Sequence, residues 1–263
     1  MPRNHELFSR EITQTALAAV DVLQGHGFSC CLFGSAACWY YGMRHRIPHD
    51  VDIVVMDDSG GHDAEYFKDL IVQADPNFYL VAARNPEDTF QVLWYRIPKR
   101  AGSGAAASSS ASNFDDSNAP DNTRHCKVDI LLPGPEPLSI PFIPQDRIKY
   151  PHADTVSRGA HRIPLMPFLT LVLLKVRGWS DHRIDHRHRM RDKVAQDEDD
   201  VDRLLELAIE KYSTRVEDEA DLWEEWFIDE AEFWVDEYAE EWRDSEHAWS
   251  EIGFDVQVES DSE

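Results

Sequence analysis

The sequence predicts an α/β (α+β) fold, with strands interleaved among helices and a helical C-terminal region after them, on three observations. In residues 50–56 and again in 126–132, apolar side chains alternate with charged ones, the period of two expected of strands with one face in a core. Residues 7–23 and 164–179 instead carry apolar residues at helical spacing or nearly all round. Glycine, serine and proline separate these runs, so each is short enough to be one element.

In chain order, Leu7, Ile12, Ala16, Ala19, Val20, Val22 and Leu23 describe an amphipathic helix that Gly25 and Gly27 end. Residues 28–33 are apolar and predict a strand, broken by Gly34 and Ser35 before a short helix over 36–41. Over 50–56, Val51, Ile53 and Val55 share one face while Asp50, Asp52 and Val54 share the other. A helix is expected over 62–74 and strands near 78–82 and 90–97. Residues 101–123 lose almost all apolar content, which predicts a disordered loop. The strand over 126–132 then sets Val128, Ile130 and Leu132 against Lys127 and Asp129. Proline-rich 133–144 leads out of the sheet, and helices are expected over 164–179 and 200–212.

The chain has 263 residues, 42% of them apolar, enough to build a substantial core. Its 26 Lys+Arg against 50 Asp+Glu give a net charge of −24, which argues against non-specific attraction of the whole molecule to DNA, RNA or an anionic membrane. From Asp197 onward there are 27 acidic and 4 basic residues, a net −23, leaving −1 for the first 196. The body is neutral and the tail acidic. No apolar run is long and uninterrupted enough to span a bilayer, and the N-terminus lacks the plan of a secretory signal, so an intracellular protein, cytoplasmic or nuclear, is expected. Cys30, Cys31, Cys38 and Cys126 sit in apolar runs without metal-ligand spacing, as small buried thiols do.

Asp50, Asp52 and Asp129 all lie on strand faces opposite the apolar ones, and the first two point the same way. Crowded carboxylates favour a hard divalent cation, and magnesium commonly takes one or two carboxylates plus substrate phosphates. Gly34 and Ser35, between a strand and a helix start, offer backbone N–H groups and a helix dipole to a phosphate. Together these features fit a metal-bound nucleoside triphosphate.

The ordered set Leu32-Phe33-Gly34-Ser35, His49-Asp50-Val51-Asp52-Ile53-Val54 and Val128-Asp129-Ile130-Leu131 resembles the signature of the nucleotidyltransferase superfamily with the DNA polymerase β-like catalytic fold. Fourteen residues separate Ser35 from Asp50, slightly long for that pattern. The resemblance implies a mixed sheet flanked by helices, with Asp50, Asp52 and Asp129 as catalytic ligands of two Mg2+ ions and Gly34 and Ser35 on the triphosphate. Arg44 and Arg46 precede the carboxylates as a basic residue often does in this family, and Arg46 is assigned to the phosphates. His49 stands beside Asp50 as a candidate hydrogen-bonding partner. Lys175, after a leucine-rich run, is similar to a helical lysine of the abortive-infection toxin type of nucleotidyltransferase and would also reach the nucleotide phosphates. Lys193, Asp197 and Asp200 match that group's next helix weakly. The implied organisation is a catalytic domain over 1–150, a helical region over 151–215 completing the nucleotide site, and an acidic, aromatic amphipathic helix and tail over 216–263.

The implied reaction is Mg2+-dependent transfer of a nucleoside monophosphate from a triphosphate to a hydroxyl on a protein, an RNA end or a small molecule, with release of pyrophosphate. Taken singly, each carboxylate reads better as a solvated strand residue, and the ordered set with Gly34 and Ser35 is what favours a site; the alternative is an inactive fold that binds nucleotide or protein and carries an acidic interaction tail. Six cations and three histidines in residues 177–193 suggest an anion-binding surface, or a charged connector. In the tail, Phe227, Trp234, Tyr238, Trp242 and Trp249 follow steps of seven, four, four and seven, which predicts one helical face packed on the body. A sharper expectation is that this tail competes with anions for the basic stretch.

Overall fold

Period-two runs become strands at the expected places: β1 (Ser29–Phe33), β2 (Asp50–Met56), β3 (Phe78–Ala82), β4 (Gln91–Ile97) and β5 (Arg124–Leu131). They form one mixed sheet in the order β1-β2-β5-β4-β3, with β2 and β5 parallel and every other neighbouring pair antiparallel. This is a computed structural model, describing residues 6–57, 59–83, 89–98, 123–151 and 159–256. Of the loop expected over 101–123, residues 101–122 lie outside the described ones.

Helix α1 (Ser9–Gly25) buries Ile12, Ala16, Ala19, Val20 and Leu23 along one stripe, and the Glu11 carboxylate accepts the Phe8 N–H at 2.8 Å to close its first turn. Helix α2 (Gly34–Tyr41) follows β1 without a loop, and α3 (Ala64–Ala74) starts at Asp63, whose side chain accepts the Tyr66 N–H at 2.8 Å. α1 and α3 pack on each other and on the sheet, while α2 packs on β1, β2 and the first helix after the sheet, α4 (Phe168–Ile184).

The helix expected from 164 starts instead at Phe168. Pro164 and Pro167 hold the chain extended ahead of it, and Leu32 N–H donates to Pro164 O while Met166 N–H donates to Leu32 O. The segment thus extends the sheet edge before turning into α4. The N–H groups of Leu169 and Thr170, orphaned at that helix start, donate to the buried Glu219 carboxylate at 3.1 and 2.8 Å. Helices α5 (His188–Arg191) and α6 (Val194–Leu207) follow, and α6 runs into a π turn over Ala208–Tyr212.

The tail differs from a single long helix. α7 (Glu225–Glu241) lays Phe227, Trp234 and Tyr238 into the core against α4, and then the chain turns at Trp242, whose carbonyl accepts from Ser245 Oγ at 2.7 Å. α8 (Glu246–Ile252) runs on from that turn and buries Trp249 next to Tyr238, whereas Trp242 is left 42% exposed. A straight continuation would have carried Trp249 along the α7 axis and away from the core, so the apolar demand of that ring is met by a break. Buried apolar contacts are continuous from Leu7 to Ile252. All four cysteines are free and fully buried, as expected, and burial pushes Cys30, Cys38 and Cys126 up to about 12. No described helix is long and apolar enough to cross a membrane.

Candidate active site

Parallel pairing of β2 and β5 sets Asp52 directly opposite Asp129, and the two-residue repeat of β2 brings Asp50 to the same face. One carboxylate oxygen from each of Asp50, Asp52 and Asp129 lies within 4.8 Å of the other two. Residues far apart in the chain therefore converge as expected. On the other side of Asp52, β1 pairs antiparallel with β2 and places Phe33 opposite it, so that Gly34 arrives over the carboxylate. Gly34 has φ +60, and a Cβ built there would stand 2.3 Å from Asp52 Oδ2. Only glycine fits.

The three half-buried carboxylates repel one another's charge. Burial first, and then Asp50 and Asp129, push Asp52 well above the usual carboxylate range, against the pull of Lys127 and Lys175. Lys127, two residues before Asp129 on the same face, donates to Asp129 Oδ2. Burial disfavours its ammonium, but the charge and hydrogen bond of Asp129 and the charges of Asp50 and Asp52 outweigh this and raise it. The Lys127 ammonium offsets part of this negative charge. The chemistry of the three carboxylates, all hard oxygen donors facing an open cleft of 490 Å³, fits Mg2+.

Behind the carboxylates, Ser35 at the start of α2 is the meeting point of a second network. Its Oγ accepts from Arg46 Nη2 at 2.6 Å and from Lys175 Nζ at 3.3 Å. Both cations are tied to Asp200, with Arg46 Nε 2.9 Å from Oδ1 and Lys175 Nζ 2.8 Å from Oδ2. His45 Nε2 lies 3.1 Å from the same Oδ1. Asp200 is fully buried; burial alone would push its carboxyl up, but the hydrogen bonds from Arg46 and Lys175 and their charges hold it below the usual range. With two donors on its lone pairs, the Ser35 hydroxyl keeps its own proton for a group in the cleft.

The sequence-predicted residues Gly34, Ser35, Arg46, Asp50, Asp52, Asp129 and Lys175 all line this one cleft, and His49, His182, Lys193 and Asp197 line it too. Arg44 does not. It turns the other way and stacks its guanidinium 3.4 Å from the centre of the Trp39 ring. In residues 177–193 three of the six cations are paired, Arg177 with Asp181, Arg183 with Glu237 and Glu241 of α7, and Arg187 with Asp185, while Arg189, Arg191 and Lys193 are exposed. His182 Nδ1 meets Asp197 Oδ2 at 2.6 Å, a hydrogen bond rather than a zinc site. Asp200 is the residue that sequence reasoning undervalued. A lone acidic residue in an acidic helix looks solvated, and the one signal was its place after Lys193 and Asp197 at the head of an apolar pattern.

No protein-family model matches the sequence, and the comparison with curated proteins gives no match. Among solved structures, the chain is similar to an antigenic nucleotidyltransferase-like protein from Paracoccidioides brasiliensis, with a TM-score of 0.60, 12% sequence identity and 96% of each chain covered. With its mixed sheet, flanking helices and three converging aspartates, the chain has a nucleotidyltransferase-like fold.

Proposed function

We propose that the protein is a Mg2+-dependent nucleotidyltransferase that moves a nucleoside monophosphate from a nucleoside triphosphate to a hydroxyl acceptor and releases pyrophosphate. The observation that carries this reading is the meeting of Asp50, Asp52 and Asp129 beneath the Gly34–Ser35 bend at the start of α2. Asp50 and Asp52 would hold both ions and Asp129 one of them. Bound there, Mg2+ supplies Lewis acidity to the attacking and departing oxygens of an in-line displacement at phosphorus.

The chain's own groups bind and orient the triphosphate. Ser35 and the first N–H groups of α2 face it with the positive end of the helix dipole. Arg46 and Lys175 stand behind Ser35 and balance phosphate charge, and Asp200 keeps both side chains in place before substrate arrives. A preorganised pair of cations spends no binding energy on assembling itself. Lys127, drawn to Asp129, holds a positive charge among the carboxylates until a divalent ion takes them over. The acceptor hydroxyl enters from the open side of the cleft, where Asp129 is about one-third exposed.

To test this, the purified chain is incubated with each α-labelled triphosphate, Mg2+ and a cell extract as acceptor pool, and transferred label and pyrophosphate are followed. Wild type should transfer label from at least one triphosphate, and Asp52→Asn should be at least about a hundredfold slower, since losing a metal ligand exceeds the loss of a residue that merely orients one. Binding of triphosphate with no transfer to any pool would leave a nucleotide-binding module in its place.

A further inference from the structure

At the opposite end of α2 lies a cavity of 460 Å³ that shares no lining residue with the acidic cleft. Ser35 and Tyr41 are six residues apart on that helix, roughly 9 Å at 1.5 Å per residue. The volume is within the range of small-molecule sites. Its walls are aromatic, formed by Tyr40, Tyr41, Tyr150, Phe168 and Tyr212. The Tyr41, Phe168 and Tyr212 rings pack against one another with centroids 4.6 to 5.6 Å apart, which makes that wall rigid.

Three cations stand at this cavity: Arg44, Lys149 and Lys211. Acidic residues outnumber basic ones almost two to one in the chain, and Arg46, Arg124, Lys127, Arg147, Lys175 and Arg183 all have carboxylate partners. Among the described residues, no carboxylate lies in ion-pair contact with Arg44 or Lys211, and Lys149 reaches the charge of Glu219 only at longer range. The two carboxylates that do line the cavity are engaged elsewhere: Asp218 Oδ2 accepts the Arg215 N–H at 2.9 Å, and Glu219 caps α4. Lys211 is held in place rather than loose, with Nζ 2.8 Å from Tyr41 O and 4.8 Å from the centre of the Tyr212 ring. Tyr212 OH donates to that same carbonyl at 2.6 Å. Both side chains reach it from the π turn at the end of α6, a departure from α-helical pitch of the kind that gathers at functional sites.

We infer that this cavity is a second binding site, separate from the acidic cleft, for a small planar aromatic anion. Its ring lies among the tyrosines and Phe168, and its anionic group is held by Arg44, Lys149 and Lys211. Aromatic walls favour a flat ring by stacking, and three cations around two carboxylates already engaged by backbone N–H groups favour a negative group over a neutral one. The inference stands whether or not the cleft transfers nucleotides.

The probe is 1-naphthyl phosphate, titrated calorimetrically into the full chain in EDTA so that the acidic cleft has no metal. One-to-one saturable binding is expected, weakened at least about tenfold for neutral 1-naphthol and at least about tenfold in the double variant Arg44→Gln/Lys149→Gln. Asp129→Asn should bind the probe as wild type does. Should the double variant fail to fold, Lys149→Gln alone carries the same expectation in direction, because that side chain is exposed and anchors nothing in the core. Absence of saturable binding, equal affinity in a folded charge variant, or binding lost in Asp129→Asn overturns the inference.

Discussion

Gly34 carries two demands at once, a left-handed backbone and an empty volume where Asp52 Oδ2 sits 2.3 Å from the Cβ that alanine would bring. The conformation alone costs a side-chain-bearing residue about 1–2 kcal/mol. Gly34→Ala should therefore lower the melting temperature modestly but push the Asp52 carboxylate aside, cutting label transfer by about a hundredfold or more; a folded variant with full transfer would show that Asp52 tolerates displacement. Asp200 makes the opposite kind of demand, a buried charge that two cations require. Asp200→Asn strands Arg46 and Lys175 without their partner, and breaking a buried pair of this sort costs about 3–5 kcal/mol. Urea melts measure it. Arg46→Ala added to that variant should cost less than it does in wild type, because the charge it removes is already uncompensated.

α4 begins without a local cap and borrows Glu219 from a segment fifty residues on. Burial raises this carboxyl, against the hydrogen bonds from Thr170 and Leu169 and the charge of Lys149. A raised folded value means that the contribution is fully present below the ordinary value of 4.5 and is lost as pH rises through the folded one. Wild type should therefore lose stability relative to Glu219→Gln as pH rises above 4.5, and the difference between their melting temperatures across pH isolates the effect. The helix itself was legible from its apolar run, but this cap was not, since nothing near Phe168 in the chain announces it. Strands were the most legible elements because alternation of Val51, Asp52 and Ile53 follows directly from pleat geometry. The triad was legible for the same reason, with Asp129 found by repetition of the pattern. The partners of Asp200 lie 25 and 154 residues away, and only tertiary packing joins them. The α7–α8 break is not legible in the sequence, because the periodic aromatic spacing continues across it while the helix does not.

Across the whole molecule, the acidic excess of the tail is partly spent on the body: Glu237 and Glu241 of α7 pair with Arg183, and Glu237 accepts from Ser180. The tail occupies part of the basic stretch as a structural neighbour. Its aromatic face also shields fully buried Trp179, whose ring meets Tyr238 edge-on with centroids 4.9 Å apart. Deletion from Glu217 would expose that ring and remove the carboxylate cap of α4. The truncated chain is expected to aggregate or to lose its near-ultraviolet dichroism, where a separable regulatory tail would leave a soluble, well-ordered body.

The four buried sulfurs turn this chain into its own stability gauge. A thiol reagent in water needs a thiolate within reach, and Cys30, Cys31, Cys38 and Cys126 offer none while the fold is closed. Each labelling event then counts one opening of the protein. Cys38 rides on α2 and Cys126 on β5, the elements that frame the cleft. Added Mg2+, by binding the closed form, should slow their labelling in wild type and leave it unchanged in Asp52→Asn, reporting metal occupancy without any assay of transfer.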